Sequence, residues 1–282
     1  MWVHLTRLNG TPACVATNLI LGVFVGLSAA HLIPYAYLAL WKKKKKQGLA
    51  LFAKRDKLVL KYFDIPALGE PIRVLLALGE LDWDDERVEF EDWPKMKPNT
   101  KWGQLPVLTL PSGFELTQTK AICRYLAKLV LVDGAPLYPA EADVAFVVDE
   151  FIDAFEDVQR KIFPTMKIAD PLEKERARAA LFASEGDCTA LLEKIDRTSG
   201  DDGSMIPFRT TLADVWCFFF FKLLKCGFLE GIPVKALDRH TNLSKVERRI
   251  GDMPQVKAYY RRQAAISAES NDGPNFYATF AH

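Results

Sequence analysis

The run KLVLKYFDIPALGEPIRVLLALGEL, residues 57–81, changes its apolar period once, and that change decides the fold. Leu58, Val59, Leu60, Tyr62 and Phe63 read as a short buried strand that breaks at Ile65-Pro66. Across residues 69–80 the apolar positions Ile72, Leu75, Leu76 and Leu78 recur at helical spacing, so a helix follows the strand. Further on, residues 86–90 read as a second strand and residues 93–97 as a short helical or irregular turn. Residues 107–110 and 114–116 form a third and a fourth strand, joined by the turn residues Pro111, Ser112 and Gly113. Residues 118–129 close the unit as a helix with Ile122, Tyr125, Leu126 and Leu129 on one face. The order is βαβ followed by ββα.

Toward the C-terminus, Gly134, Pro136 and Pro139 mark a linker. Beyond it every pattern is helical, over residues 143–163, 171–196, 211–224, 243–251 and 254–262. Thr211 and Asp214 have the spacing of a capping box, in which Thr211 caps the helix amides and Asp214 reaches back to the cap's own N–H. The stretch VWCFFFFKLL behind them is apolar on almost every face and should be the central buried helix of this half. The phenylalanines Phe218 to Phe221 are therefore core residues rather than a ligand box.

Toward the N-terminus the chemistry differs. The 282-residue chain carries a net charge of +1, which divides into +8 over residues 1–55 and −7 over the remainder. Within the basic part, LILGVFVGLSAAHLIPYAYLAL (residues 19–40) holds no formal charge. As a helix it would reach roughly 33 Å, against a hydrocarbon core of roughly 30 Å. Tyr35, Tyr37 and Trp41 stand at its far end, and Lys42 to Lys46 follow directly. A membrane span over residues 19–41 is expected, with the positive-inside rule placing the body of the protein in the cytosol. Two alternatives stay open: a secretory signal cleaved near Ser28, Ala29 and Ala30, and an organelle-targeting segment.

The mildly acidic body offers no surface that would seek phosphates, and the basic segment is too short and apolar to be a nucleic-acid module. No nucleic-acid partner is expected. The five cysteines show no CxxC pair, and an odd total suits a reducing compartment better than a disulfide framework. Cys123, Cys217 and Cys226 lie in apolar helical stretches, where buried, inert thiols are expected. The four histidines are scattered, so no metal site is expected.

The opening run, followed by EDWPKMK (91–97), GQLPVL (103–108) and LTQTKAICRYLAK (116–128), resembles the glutathione-binding domain of cytosolic glutathione transferases. It is most similar to the sigma class, which includes glutathione-dependent prostaglandin D synthase. The resemblance implies a thioredoxin-like domain over residues 56–131, a linker over 132–141 and an all-helical domain over 142–282, behind the anchor and basic linker of residues 1–55.

The same resemblance implies a set of roles. Tyr62 matches the catalytic tyrosine, whose hydroxyl donates a hydrogen bond to the glutathione sulfur. A free thiol titrates near about 8.5, and lowering it by roughly two units takes roughly 2.7 kcal/mol of preference for the thiolate. One charge-assisted hydrogen bond supplies about 1.5–3 kcal/mol. Leu105-Pro106 matches the cis-proline position that presents the Leu105 backbone to an extended peptide, an ordinary trans proline being the alternative. Gln118 and Thr119 would receive the γ-glutamyl carboxylate at the closing helix's N-terminus, where a plain N-cap is the other reading. Trp93, Lys97 and Gln104 would face the glycyl end, although Lys97 equally suits a free surface position and Gln104 replaces a lysine common in the sigma pattern. Asp153 would cross a homodimer interface to the neighbouring subunit's glutathione, or stand as a solvated helix carboxylate. Ile65 and Leu68 would floor the acceptor pocket. Residues 264–282 have no counterpart in the resemblance and are expected to be partly disordered or folded over that pocket. Leu68 stands where sigma enzymes often carry an arginine, so a positive group near the thiolate would be missing.

The implied activity is conjugation of glutathione, with no metal, to small hydrophobic electrophiles. A glutathione-dependent isomerase or peroxidase is one alternative, and a non-catalytic structural or interaction module is another.

Overall fold

The computed structural model describes residues 57–270 and 275–280, which belong to the compact unit Lys54–His282. The span expected at residues 19–41 lies outside the described residues. Among the described residues no helix is long and apolar enough to cross a membrane.

The first half is a four-stranded sheet with two main helices. β1 (Leu58–Phe63) leads into α1 (Glu70–Leu78), then β2 (Trp83–Val88), the short helix α2 (Trp93–Met96), β3 (Val107–Thr109), β4 (Glu115–Thr117) and α3 (Thr119–Ala127). The strand order is β2-β1-β3-β4, with β1 parallel to β2 and antiparallel to β3. That is the expected βαβ-ββα arrangement. β1 is where the strand was expected, but it alternates instead of being buried throughout: Leu58, Leu60 and Tyr62 are buried, while Val59, Lys61 and Phe63 are partly open. The second strand starts earlier than residues 86–90, because β2 is an edge strand held by its backbone ladder rather than by an apolar run. Its outward carboxylates pair with lysines at and beside β1, Asp84 with Lys57 at 3.0 Å and Glu86 with Lys61 at 3.1 Å.

Between the halves, the stretch read as linker begins with a small hairpin of β5 (Leu131–Val132) and β6 (Ala135–Pro136), turned at Asp133 and Gly134, both at positive φ. The helical half comprises α4 (Ala142–Ile162), α5 (Pro171–Leu181), α6 (Asp187–Thr198), α7 (Leu212–Lys225), α8 (Thr241–Gly251) and α9 (Pro254–Ser270). The single helix expected over residues 171–196 is two. Gly186 stands at the break, where a Cβ would lie 2.2 Å from the carbonyl oxygen of Leu181. Only glycine admits that approach.

α7 is the centre of the helical half, as its composition demands. Every residue from Leu212 to Phe221 is buried, and Phe220 meets Phe155 of α4 while Phe218 meets Tyr260 of α9. The capping box is present: Asp214 accepts from the Thr211 N–H at 2.7 Å and the Thr211 hydroxyl at 2.9 Å. Asp214 also takes the Met205 N–H at 2.9 Å and Arg249 Nη2 at 2.7 Å. Of the tail, residues 264–270 continue a helix and residues 276–280 form a 3-10 turn. α9 runs eight residues beyond the expected 262, and the 3-10 turn Phe276–Phe280 packs back on it, with Phe280 stacked on Tyr260.

Candidate functional site

A cleft of about 320 Å³ opens along the ends of β1, β3 and β4. Its walls bring together Leu68, Trp93, Gln104, Leu105, Pro106, Gln118 and Thr119, seven of the residues singled out in the sequence. Four separate elements deliver them. Trp93 opens α2 and packs edge-on against Phe63 at the end of β1, with centroids 5.9 Å apart. Leu105 precedes β3 through a peptide bond to Pro106 that is cis. Gln118 and Thr119 mark the start of α3.

The entry to α3 suits an anion better than a plain cap would. Gln118 occupies the cap position with φ at 72°, a left-handed conformation rare outside glycine, and no side chain caps the first turn. The leading N–H groups of a helix attract negative charge when no cap consumes them. Gln118 Nε2 donates instead to Gln104 Oε1 at 3.0 Å, which ties one wall of the cleft to the other.

Tyr62 is 5% exposed and does not itself line the cleft, but it reaches the wall through Leu68. Leu68, in the wall, sends its backbone N–H to the Tyr62 hydroxyl at 3.0 Å. Burial pushes the phenol up to about 12, against the Leu68 hydrogen bond and the Arg73 charge, which both pull it down. The hydroxyl therefore keeps its proton at neutral pH and remains a donor. A donor whose oxygen already accepts a hydrogen bond donates more strongly, since the two bonds polarise each other. Gly69 makes room for the ring, because a Cβ there would stand 2.4 Å from Tyr62 Cδ1.

The residues that line the cleft include no arginine or lysine, and the positive charge near Tyr62 sits beside its ring instead. Arg73 is fully buried, and its guanidinium carbon lies 5.7 Å from the Tyr62 ring centroid. It donates to the carbonyl oxygens of Phe63 and Ile65, both at 3.1 Å, and so holds the chain that leaves β1. A charged pair, Glu70 and Arg73 three residues apart on the otherwise apolar α1, was the signal available in the sequence. Trp102, Gly103 and Thr117 also line the cleft and were not singled out. Trp102 is 60% exposed at its rim, where an open indole offers a stacking surface.

Besides Tyr62, three expected residues stand apart from the cleft walls. Lys97 is exposed and lies against Gly103, so it reaches the rim only. Ile65 contributes its carbonyl to Arg73 and lines no part of the cleft. Asp153, on α4, accepts from Lys120 Nζ at 2.7 Å within the same chain. Among the described residues no cluster of His, Cys, Asp or Glu could hold a metal ion.

Comparison with known proteins agrees with this geometry. Residues 58–128 match the family described as glutathione S-transferase, N-terminal domain. The chain is 31% identical over 207 residues to a glutathione S-transferase of Anopheles gambiae, covering 72% of this chain and 94% of that protein. It is 33% identical over 215 residues to glutathione S-transferase P of Caenorhabditis elegans, covering 76% and 97%. Among solved structures it is similar to rat hPGDS complexed with a quinoline, with a TM-score of 0.63 and 26% identity over 73% of this chain and 96% of that one.

Proposed function

The chain belongs to the glutathione S-transferase family, and from that premise we propose that Tyr62 is the group that activates glutathione. The enzyme is a glutathione transferase. In our reading the Tyr62 hydroxyl donates to the glutathione sulfur and holds it as thiolate, the thiol proton passing to solvent. The thiolate then forms a carbon–sulfur bond with an electrophilic carbon, and the leaving group departs with the bonding pair. Leu105, beside the cis bond, presents backbone to the cysteinyl part, and the uncapped start of α3 with Gln118 and Thr119 takes the γ-glutamyl carboxylate. Trp93, Gln104 and the rim residue Lys97 face the glycyl end. Proximity and thiolate activation suffice for conjugation, so no metal is invoked.

The observation that carries this reading is the Tyr62 hydroxyl, protonated, buried and accepting from the Leu68 N–H in the cleft wall. Retention on immobilised glutathione and turnover of Tyr62→Phe test it. Losing a bond worth about 1.5–3 kcal/mol raises the bound thiol by about one to two pH units and lowers turnover about 10- to 100-fold at neutral pH. Undiminished turnover would overturn the tyrosine mechanism, and failure to bind glutathione would overturn the site.

The finer assignments follow the sigma-like sequence pattern. We assign small apolar acceptors to the enzyme, with Leu68 in the pocket wall and Ile65 beside it. A homodimer in which Asp153 approaches the partner's glutathione predicts a sedimentation mass twice that of the chain and a raised KM for glutathione in Asp153→Asn. Residues 19–41 form the anchor of a cytosol-facing enzyme in this reading. Release of the native protein by alkaline carbonate, with an N-terminus after Ala30, would count against the anchor.

A further inference from the structure

The C-terminal turn approaches the site from behind. Tyr277 is buried, and its hydroxyl accepts from Arg87 Nη1 at 2.9 Å and from Arg73 Nη1 at 3.4 Å. The Arg87 guanidinium also lies 5.5 Å from the Tyr277 ring centroid. A buried guanidinium, Arg73, and a half-buried one, Arg87, repel each other unless anions and acceptors satisfy them. Asp85 bridges them, accepting from Arg73 Nε at 3.1 Å and pairing with Arg87, while Glu70 pairs with Arg73 and Asp64 with Arg87. The Tyr277 hydroxyl adds lone pairs between the two arginines without adding charge.

The turn itself is pinned. Asn275 donates to the Ala264 carbonyl oxygen at 3.0 Å and accepts from the Ala278 N–H at 3.0 Å. Phe276 packs edge-on against Phe228, and Phe280 stacks on Tyr260. From Tyr277 a continuous set of contacts leads to the cleft. Tyr277 meets Arg73, Arg73 holds the carbonyls of Phe63 and Ile65, and the loop so held sets the Leu68 N–H on the Tyr62 hydroxyl.

Resting on the reading of Tyr62 as the thiolate's donor, we propose that Phe276–Phe280 is a positioning element for catalysis. Tyr277, about 200 residues from Tyr62 in sequence, keeps Arg73 and the loop of residues 63–68 where the Tyr62 hydroxyl is polarised. Tyr277 does not line the cleft, so its loss should weaken thiolate stabilisation rather than glutathione binding.

The test uses the full chain with Tyr277→Phe, Tyr277→Ala and Tyr62→Phe in parallel. The thiol pKa of bound glutathione is read from thiolate ultraviolet absorbance, together with kcat, KM for glutathione and melting temperature. Tyr277→Phe keeps the ring packing and should raise the bound thiol by about half a unit, about threefold in thiolate at neutral pH. Tyr277→Ala should raise it by about one unit, with a roughly tenfold lower kcat and KM within about twofold. A lower melting temperature with thiol pKa and kcat unchanged in Tyr277→Phe would overturn the positioning role, and that variant decides if Tyr277→Ala does not fold. Should Tyr62→Phe also leave the thiol unmoved, the reading of Tyr62 fails first and the positioning role with it.

Discussion

Replacing Gly69 with alanine should disable the site through one added methyl group. The backbone at Gly69 has φ −78° and ψ −23°, which any residue adopts, so the substitution carries no conformational penalty of its own. Its cost is space. A Cβ there lies 2.4 Å from Tyr62 Cδ1, 2.7 Å from Cγ and 3.0 Å from Cβ. Carbon atoms settle at about 3.5–4.0 Å, so the ring must retreat by about 1 Å. Phe63 is edge-on at 5.4 Å and Arg73 lies 5.7 Å from the ring centroid, so it cannot retreat freely. A displacement of that size stretches the 3.0 Å bond from the Leu68 N–H past hydrogen-bond range.

Overpacking of this kind costs about 1–3 kcal/mol of stability. Misplacing a reacting group by about 1 Å costs on the order of 100-fold in rate. The assay is kcat at saturating glutathione with a chromogenic aryl electrophile, alongside melting temperature. Gly79→Ala provides the control, because its Cβ would meet Val130 at 2.8 Å and Leu81 at 3.1 Å, away from the cleft. Both variants should melt lower, and only Gly69→Ala should lose turnover. A folded Gly69→Ala enzyme with kcat within about twofold of the parent would refute the claim that the Tyr62 ring must sit where it does.

Asp214→Asn should destabilise the fold by about 3–5 kcal/mol, the usual cost of breaking a buried ion pair by removing one partner, and urea unfolding would measure it. The amide cannot accept all four of the bonds from Thr211, Met205 and Arg249, and at least one buried donor is left facing an N–H. For Tyr62 the pH dependence has a definite sign: its folded value of about 12 lies above the ordinary 10.0, so the associated stability is full below pH 10 and is lost as pH rises through 12. The parent should therefore lose up to about 2.7 kcal/mol across that window which Tyr62→Phe keeps, a difference that alkaline unfolding curves would show. Burial pushes the thiols of Cys123 and Cys217 far up, Cys188 up to about 12 and Cys226 up to about 11. All four should resist alkylation in the native enzyme and react on unfolding, as mass spectrometry of alkylated peptides would reveal.

Where local chemistry governs the backbone, the sequence was legible. The place of β1, the turn at residues 111–113, the capping box and the all-apolar α7 each follow from neighbours within a few positions, and the structure shows each of them. The resemblance to a family added the cis bond at Leu105-Pro106, which composition alone leaves open. β2 was misplaced because an edge strand with outward carboxylates lacks an apolar run, and its register is set by β1 across the sheet. The break at Gly186 depends on how closely one carbonyl approaches, a distance no pattern of residue types encodes. Trp102 and Tyr277 were missed for a related reason. One reaches the cleft through a loop and the other through a contact 204 residues away from Arg73, so neither has a local signature.

The substitution at Leu68 looked damaging when positions were compared side chain by side chain. The structure changes what must be compared. At Leu68 the group that meets the Tyr62 hydroxyl is the backbone N–H, which every residue but proline supplies. The positive charge beside the ring comes from Arg73, one turn into α1, and its place is fixed by two backbone carbonyls, the buried carboxylate of Glu70 and the half-buried one of Asp85. Polarisation of the tyrosine thus depends on the path of the loop more than on the side chain at residue 68. That separation leaves the Leu68 side chain free to shape the cleft wall. If Tyr62 activates glutathione as proposed, an apolar wall beside its hydroxyl favours an apolar acceptor, and Leu68→Arg should change which electrophiles are conjugated more than the thiol pKa of bound glutathione.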